Sequence, residues 1–406
     1  MQCNQYYFCT YIFGRCWPAL QRLAMLAVAL LLAITAAPAL AQEVSPAGFA
    51  FAGDHATAAQ RFPHAFKIDQ VLRAAGKTLS QQVLERAYAE PATALQFTAP
   101  DKLASTKGTD QTLLSVLLLT GESSSTEQFG SYFKTFVSLR GEALIFDFKS
   151  KTVVRSYPLS VTVFDAGAAQ PTATEVEALV RDLILRTDGA GLLTQYARRM
   201  ATATLPTPGT RTIQVRPASV GPEALAMLPQ ALRETPALAG QVFSEAFGAV
   251  LAAKLGASLL PTGMAHAMGS MSFRLENGDA YDFKLGEGDY LFDLAVNRFV
   301  KVKAGENAVG ASYVYGVHAN LRFYEPLTND EFLKTDIKNG EVKIVPGGQL
   351  SVDDFPAYEA ALRGLFLKFA GALQERPDMK WITTAAAEKN ISKQLDTTRS
   401  ILKASK

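Results

Sequence analysis

The chain has 406 residues, a formal net charge of +2 and 48% hydrophobic residues, a balance that excludes a disordered polymer and offers no basic surplus for nucleic acid. Its three cysteines, Cys3, Cys9 and Cys16, all precede one short apolar run. A chain cleaved behind that run has no disulfide, thiolate nucleophile or cysteine-based metal site.

Residues 1–41 read as an export signal. Arg15 and Arg22 form a basic flank, "LAMLAVALLLAITAA" follows, and Ala39-Leu40-Ala41 places small residues around a cleavage point, with Gln42 as the new first residue. The run is short for a bilayer span of ~20 residues. The competing reading is an uncleaved anchor. Cleavage removes two arginines and no acid, so the mature chain balances at 38 basic and 38 acidic residues. Its 365 residues suit two domains of ~100–200 residues each. The expected location is the periplasm, and no spanning segment is expected in the mature chain.

The first domain is expected at 42–202. "GFAFAG" is a weak strand, and "IDQVLRAAGKTLSQQVLERAYAE" is helical with a break near Gly76. Leu79, Val83, Leu84 and Ala87 fall at helical spacing. "TLLSVLLLTG" has the length of a buried strand, and the polar "ESSSTEQFGS" reads as a loop. A long strand covers 132–148, a turn falls at "KSK", and "TVVRSYPLSVTVF" is the next strand. "TATEVEALVRDLIL" opens with Thr174 and Glu177 as a capping box and carries Val176, Leu179, Val180, Leu183 and Ile184 on one stripe.

Residues 203–212, "ATLPTPGTRT", read as a linker to a second domain at 213–375. "TIQVRPA" opens it as a strand. A helix over 237–260 follows, with Phe243, Phe247, Val250 and Leu251 on one side. This helix is long enough to span a bilayer, but Glu245 and Lys254 favour burial against a sheet. "DYLFDLAVNRFVKV" is a strand, "KAGENAVGAS" a loop and "YVYGVHANLRFYEP" a long strand. "PLTND" is a turn, and "EFLKTDI" is the last strand. The closing helix begins with Ser351 and Asp354 as cap residues and buries Tyr358, Leu362, Leu365, Phe366 and Phe369.

The two stretches share an order and scattered residues, "TGE" with "AGE" and "VVRS" with "FLKT". The fold class is therefore α/β (α+β): two tandem, divergent β-α-β-β-β-α domains, each a mixed or antiparallel sheet packed by helices, with a tail helix behind them. The second copy has an insertion at 270–285. Asn277-Gly278 joins two alternating arms there, the strongest short hairpin signal. Met271, Phe273 and Leu275 line one arm and Tyr281 and Phe283 the other, which makes this hairpin a candidate interaction element. Residues 376–406 are polar and basic. Ile391, Leu395, Thr398 and Leu402 fall at helical spacing, a pattern that suits either a membrane surface or packing on the chain itself.

Motifs of catalysis or cofactor binding do not stand out. There is no His-Glu-x-x-His, Gly-x-Ser-x-Gly, P-loop or Gly-x-Gly-x-x-Gly, and no cofactor or metal is expected. Ser131 and Lys134 form a Ser-x-x-Lys string at the start of a strand, where residues three apart face opposite sides. Asp54, His55, His64 and His266 are the candidates for a pocket or metal site, nitrogen and oxygen donors of the kind transition ions accept. Their spacing matches no established ligand pattern. His318 lies on the polar side of its strand with Ser312, Gly316, Asn320 and Arg322.

The order strand, helix, "DYLFDLAVNRF", strand, turn, "EFLKT", helix resembles an exported superfamily that includes the curli-secretion channel subunit and the N-terminal domain of the Tol-system β-propeller protein. The resemblance rests on Asp289, Tyr290, Leu291, Gly305 and the turn before Phe332. The first copy departs from it, since Asp110 precedes "QTLLSVL" and the tyrosine is missing, and no cysteine stands at the mature N-terminus for a lipid anchor. It implies a fold and no catalytic residues. The expected function is that of a non-catalytic exported envelope assembly or interaction protein, with an envelope protein as partner. The alternative is a periplasmic hydrolase or ligand-binding protein with its site between the two domains. Neither reading fixes an oligomeric state.

Overall fold

The structure is a computed structural model that describes residues 42–53, 57–93, 95–97, 113–129, 131–206, 210–262, 270–274, 280–284, 286–308, 310–346, 354–377 and 379–405, with 270–274 and 280–284 as backbone. Glu43–Lys406 forms one compact unit. Its first half runs β1 (Gln42–Ala52), α1 (Ala58–Arg61), α2 (Pro63–Ala74), α3 (Leu79–Ala89), β2 (Leu95–Phe97), β3 (Leu113–Phe129), β4 (Tyr132–Asp147), β5 (Thr152–Gly167), α4 (Ala173–Leu185) and α5 (Leu192–Ala201). The second runs β6 (Ile213–Val215), β7 (Ser219–Val220), α6 (Pro222–Leu225), α7 (Gln230–Arg233), α8 (Pro236–Leu255), β8 (Ser270–Arg274), β9 (Ala280–Lys284), β10 (Tyr290–Asn307), β11 (Gly310–Glu325) and β12 (Asp330–Pro346). It closes with α9 (Phe355–Ala372), α10 (Met379–Ala385) and α11 (Ile391–Ala404).

Both halves use one connectivity. An opening strand lies parallel to the first strand of a three-stranded antiparallel meander, β1 beside β3 and β6 beside β10. The strand orders are β5-β4-β3-β1-β8-β9, with β2 beside β1, and β12-β11-β10-β6, with β7 beside β10. Helices between the opening strand and the meander make the parallel return possible, because parallel neighbours need a long crossover.

The meander strands are far longer than the usual 5–6 residues. The polar run "ESSSTEQFGS", expected as a loop, is mostly strand: β3 continues to Phe129, with Ser123 opposite Ser138 and Thr126 opposite Thr135. The Thr126 and Thr135 hydroxyls meet at 3.0 Å. Polarity signals a loop only where strands must be buried, and this stretch is paired through its backbone while Ser123, Ser124 and Gln128 stay exposed. For the same reason β10 extends to Asn307 through the expected loop "KAGENAVGAS".

Helix starts also moved. Two overlapping Thr-x-x-Glu strings occur in "TATEVE", and the upstream one is used: Thr172 caps α4 and Glu175 returns the bond to its backbone. Glu177, expected in that role, instead pairs with Lys67 of α2 at 2.7 Å. Asp354 precedes α9 but makes no side-chain cap; its carboxylate accepts from Lys301 Nζ at 2.8 Å and Tyr315 Oη at 2.6 Å. Gly76, with φ +72°, takes the left-handed conformation between α2 and α3.

The expected stripes are buried where they face a sheet. Leu79, Val83 and Ala87 of α3, Val180, Leu183 and Ile184 of α4, and all five expected residues of α9 lie in the core. Leu84, Val176 and Leu179 sit at the margins, half-buried. Helix α8 is apolar around much of its circumference because it is used on two sides. Phe243, Phe247 and Leu251 join the second sheet's core. Gly248 approaches Pro158 of β5, and Glu245 reaches Arg140 of β4. Length and composition alone would let this helix cross a membrane. Here it fills the layer between two sheets.

The insertion hairpin forms β8 and β9, and β8 pairs with β1 through Phe51 opposite Arg274 and Ala52 opposite Phe273. A segment of the second half therefore extends the sheet of the first. Strand β9 also contacts β5, at the far end of the strand order, so this sheet curls. Helices α4 and α5 occupy one face of β4 and β5, which leaves the other face inside the curl. Leu114, Val116, Leu118, Leu144 and Phe146 line that face as a separate apolar cluster. The tail packs on its own chain. Ile391, Leu395, Thr398 and Leu402, the stripe legible in the sequence, are the buried residues of α11 and lie against β12. That face is not free to meet a membrane.

Candidate functional site

Of the four residues expected to form a pocket or metal site, the structure describes His64 alone; Asp54, His55 and His266 lie outside the described residues. His64 stands in the first turn of α2, after Pro63. Glu122 of β3 accepts from the backbone N–H of His64 at 3.0 Å and of Ala65 at 2.9 Å, and meets His64 Nδ1 at 2.7 Å. A carboxylate here satisfies two otherwise orphan helix donors and complements the positive helix end. An Nδ1–H donated to Glu122 leaves Nε2 as the outward acceptor. The pair thus anchors β3 to α2. Among the described residues no group of three or more His, Cys, Asp or Glu converges to hold a metal ion.

Of the candidate hairpin, Met271, Phe273, Tyr281 and Phe283 fall in β8 and β9, while Leu275 lies outside the described residues.

Between the halves sits a buried polar group. Arg140 Nε donates to Glu245 Oε2 at 3.0 Å, and Gln241 Nε2 donates to Glu245 Oε1 at 2.9 Å. Gly121 makes room for the guanidinium: a Cβ there would lie 2.2 Å from Arg140 Nη2. On the same face of β4, Glu142 is 3% exposed and bonds the Ser156 hydroxyl. Burial pushes its carboxyl up to about 8, against the Ser156 hydrogen bond and with the help of Glu245. The backbone of Leu259 donates to Ser156 O at 3.1 Å, so the segment after α8 is tied to β5 as well. These groups fill the space between the halves.

The second sheet differs, because among the described residues no helix covers its outer face. Odd-numbered residues of β11, from Tyr315 to Phe323, are buried against α8 and α9. The even-numbered ones point outward with their cross-strand partners. One row is Asp293, Arg322 and Lys334, and the next toward the strand tips is Ala295, Asn320 and Asp336. Then come Arg298, His318 and Lys338; Val300, Gly316 and Gly340; and Val302, Val314 and Val342. Ser312 and Ile344 lie beyond them.

Three carboxylates of this face have hydrogen-bond partners, and Glu287 lies near Arg216 and Tyr324. Asp293 takes Arg216 in two bonds of 2.6 and 2.8 Å, Glu331 takes Arg322 at 2.6 Å, and Asp336 accepts from Asn320 at 3.1 Å. Tyr324 lies between the Arg216 and Arg322 guanidinium groups, 5.7 and 3.9 Å from its ring centre. Asp293 in turn holds the Arg216 guanidinium above its ordinary range. A shallow depression of about 420 Å³ opens here, lined by Arg216, Ser219, Asp293, Asn320 and Arg322. The row of Arg298, His318 and Lys338 contains no acid, and burial followed by its two cationic neighbours lowers the His318 imidazole. Toward the tips Val302, Val342 and Ile344 are 57%, 70% and 58% exposed.

No family model and no curated protein matches the chain. Two solved structures are distantly similar. One is a minor lipoprotein from Acinetobacter baumannii, at 12% identity and a TM-score of 0.22, over 42% of this chain and 97% of that one. The other is a DUF330-family protein from Xanthomonas campestris, at 13% identity and a TM-score of 0.19, over 41% of this chain and 84% of that one.

Alternation within β11 already placed His318 among polar-face neighbours. Its rows with Arg298 and Lys338, and the valine row, required the register of three strands. Glu122 was missed because its polar run read as a loop.

Proposed function

We propose that the chain is an exported, non-catalytic interaction protein of the cell envelope, and that the outer face of its second sheet is the contact surface. One observation carries this reading: a long meander has one side packed by helices and the other uncovered among the described residues, with Val302, Val342 and Ile344 more than half exposed in adjoining rows. Clustered exposed aliphatic side chains cost free energy in water and mark surfaces that are covered in use. The export signal read in residues 1–41 supports an envelope location.

The test is site-specific photo-crosslinking in envelopes prepared from cells that express the full chain. A crosslinker at Val342 is expected to give defined adducts several-fold above one at Leu327, which is 91% exposed but stands in a turn. Equal labelling at the two positions would end the assignment of the surface. The mature chain is expected to begin at Gln42 on N-terminal sequencing; retention of residues 1–41 would end the export reading.

A further inference from the structure

We infer that the outer face of the second sheet docks on an anionic lipid surface, with Val302, Val314, Val342 and Ile344 entering the interfacial region and Arg298 and Lys338 meeting headgroup phosphates. This rests on the reading of that face as a contact surface and names what it contacts.

Charge is the first ground. Asp293 and Glu331 are paired with Arg216 and Arg322, Asp336 accepts from Asn320, and Glu287 lies near Arg216 and Tyr324, whereas among the described residues neither Arg298 nor Lys338 has an ion-pair partner. Two exposed cations flank His318 in one cross-strand row, an arrangement that repels itself until an anion arrives. Geometry is the second. Lys338 and Val342 are four residues apart on one side of β12, ~13 Å at ~3.3 Å per residue. Val300, Gly316 and Gly340 form the row between. Cations set beside an aliphatic patch on one flat face suit an interface in which phosphates border acyl chains, reached by burying apolar side chains ~5–10 Å deep.

Other occupants fit less well. A second copy pairing through this face by a two-fold axis would set the cationic row against itself or bury it on valines. A protein hot spot is usually built on Trp, Tyr or Arg in a pocket, and the exposed ladder here is Val and Ile on an open surface.

The experiment is co-sedimentation of the mature chain with vesicles of phosphatidylcholine containing phosphatidylglycerol, and with vesicles of phosphatidylcholine alone. Binding is expected on the anionic vesicles and should weaken in high salt, since exposed charges are screened. Arg298→Glu with Lys338→Glu is expected to weaken it about tenfold or more, given what each basic residue contributes near such a surface. Lys149→Glu, an exposed cation in the β4–β5 turn, is the matched control and should leave binding unchanged. Val342→Asp should weaken binding to the same vesicles without altering the thermal melt, because its side chain is 70% exposed. Equal binding to both vesicle types, or an Arg298→Glu/Lys338→Glu variant that binds like wild type, would overturn the inference. If vesicles are not bound while Val342 still crosslinks to a protein or to a second copy, the lipid assignment falls and the contact surface stands. If neither occurs, both fall.

Discussion

Glu245→Ala should lower the unfolding free energy by about 3–5 kcal/mol, the usual cost of removing one partner from a buried ion pair. Arg140 and Glu245 are 8% exposed, and their contact joins β4 of the first half to α8 of the second. Without the carboxylate, the Arg140 guanidinium remains beside Gly121 with its direct ion pair gone and only the more distant Glu359 as an acidic neighbour, and Gln241 loses an acceptor at 2.9 Å. The loss therefore exceeds the modest net value of an ordinary hydrogen bond. Arg140→Met combined with Glu245→Leu should recover most of it, because a volume-matched apolar pair removes both desolvation penalties together. Chemical denaturation of the single and double variants measures this. A loss below ~1 kcal/mol for Glu245→Ala would show the pair to be hydrated and worth no more than a surface bridge.

Stability should also fall as pH rises between about 4.5 and about 8, and Glu142 should account for much of the fall. Its carboxyl is raised from 4.5 to about 8 by burial, opposed by the Ser156 hydrogen bond and reinforced by Glu245. In that window the folded chain holds a proton that the unfolded chain has released, so each pH unit costs about 1.4 kcal/mol of stability. The full loss is roughly 3–5 kcal/mol, present below 4.5 as added stability and spent above 8, where both states are ionised. Glu142→Gln keeps the shape, cannot ionise and should flatten this part of the profile. Denaturant midpoints measured across the window for both chains decide it; parallel profiles would show that Glu142 is ionised throughout. Glu245→Ala should shift the upper edge of the window downward, because it removes one of the causes that raise Glu142.

Much of the fold was legible because period and length survive burial. The stripes on α3, α9 and α11 were read from spacing and are buried in the structure. The order of the long strands and main helices in the two halves likewise followed from apolar runs and turn residues, whereas α5 and the short β2, β7, α6 and α7 were not read. Three things were hidden for separate reasons. Polar strand extensions look like loops, because a polar stretch has no apolar face to alternate. Two Thr-x-x-Glu strings two residues apart were equivalent by pattern, and position in the fold chose Thr172. The Asn277-Gly278 hairpin was plain, but a turn motif carries no address, and its pairing with β1 of the other half depends on where α8 and the segment after it deliver the chain.

The candidate surface divides in the same way. Alternation along β11 by itself determined that His318, Asn320 and Arg322 share a face, since successive side chains of a strand point to opposite sides. Spacing likewise determined which α11 residues share a stripe, while its packing against β12 came only with the tertiary structure. Only the tertiary structure decided which face of the second sheet would be covered by helices and which left open. Only the strand register set Arg298 and Lys338 beside His318, and Val302 and Val342 beside Val314. Periodicity is local, recorded in each element's own residues. Register and coverage are set by partners 12 to 28 residues away and by helices elsewhere in the chain, which no single stretch encodes.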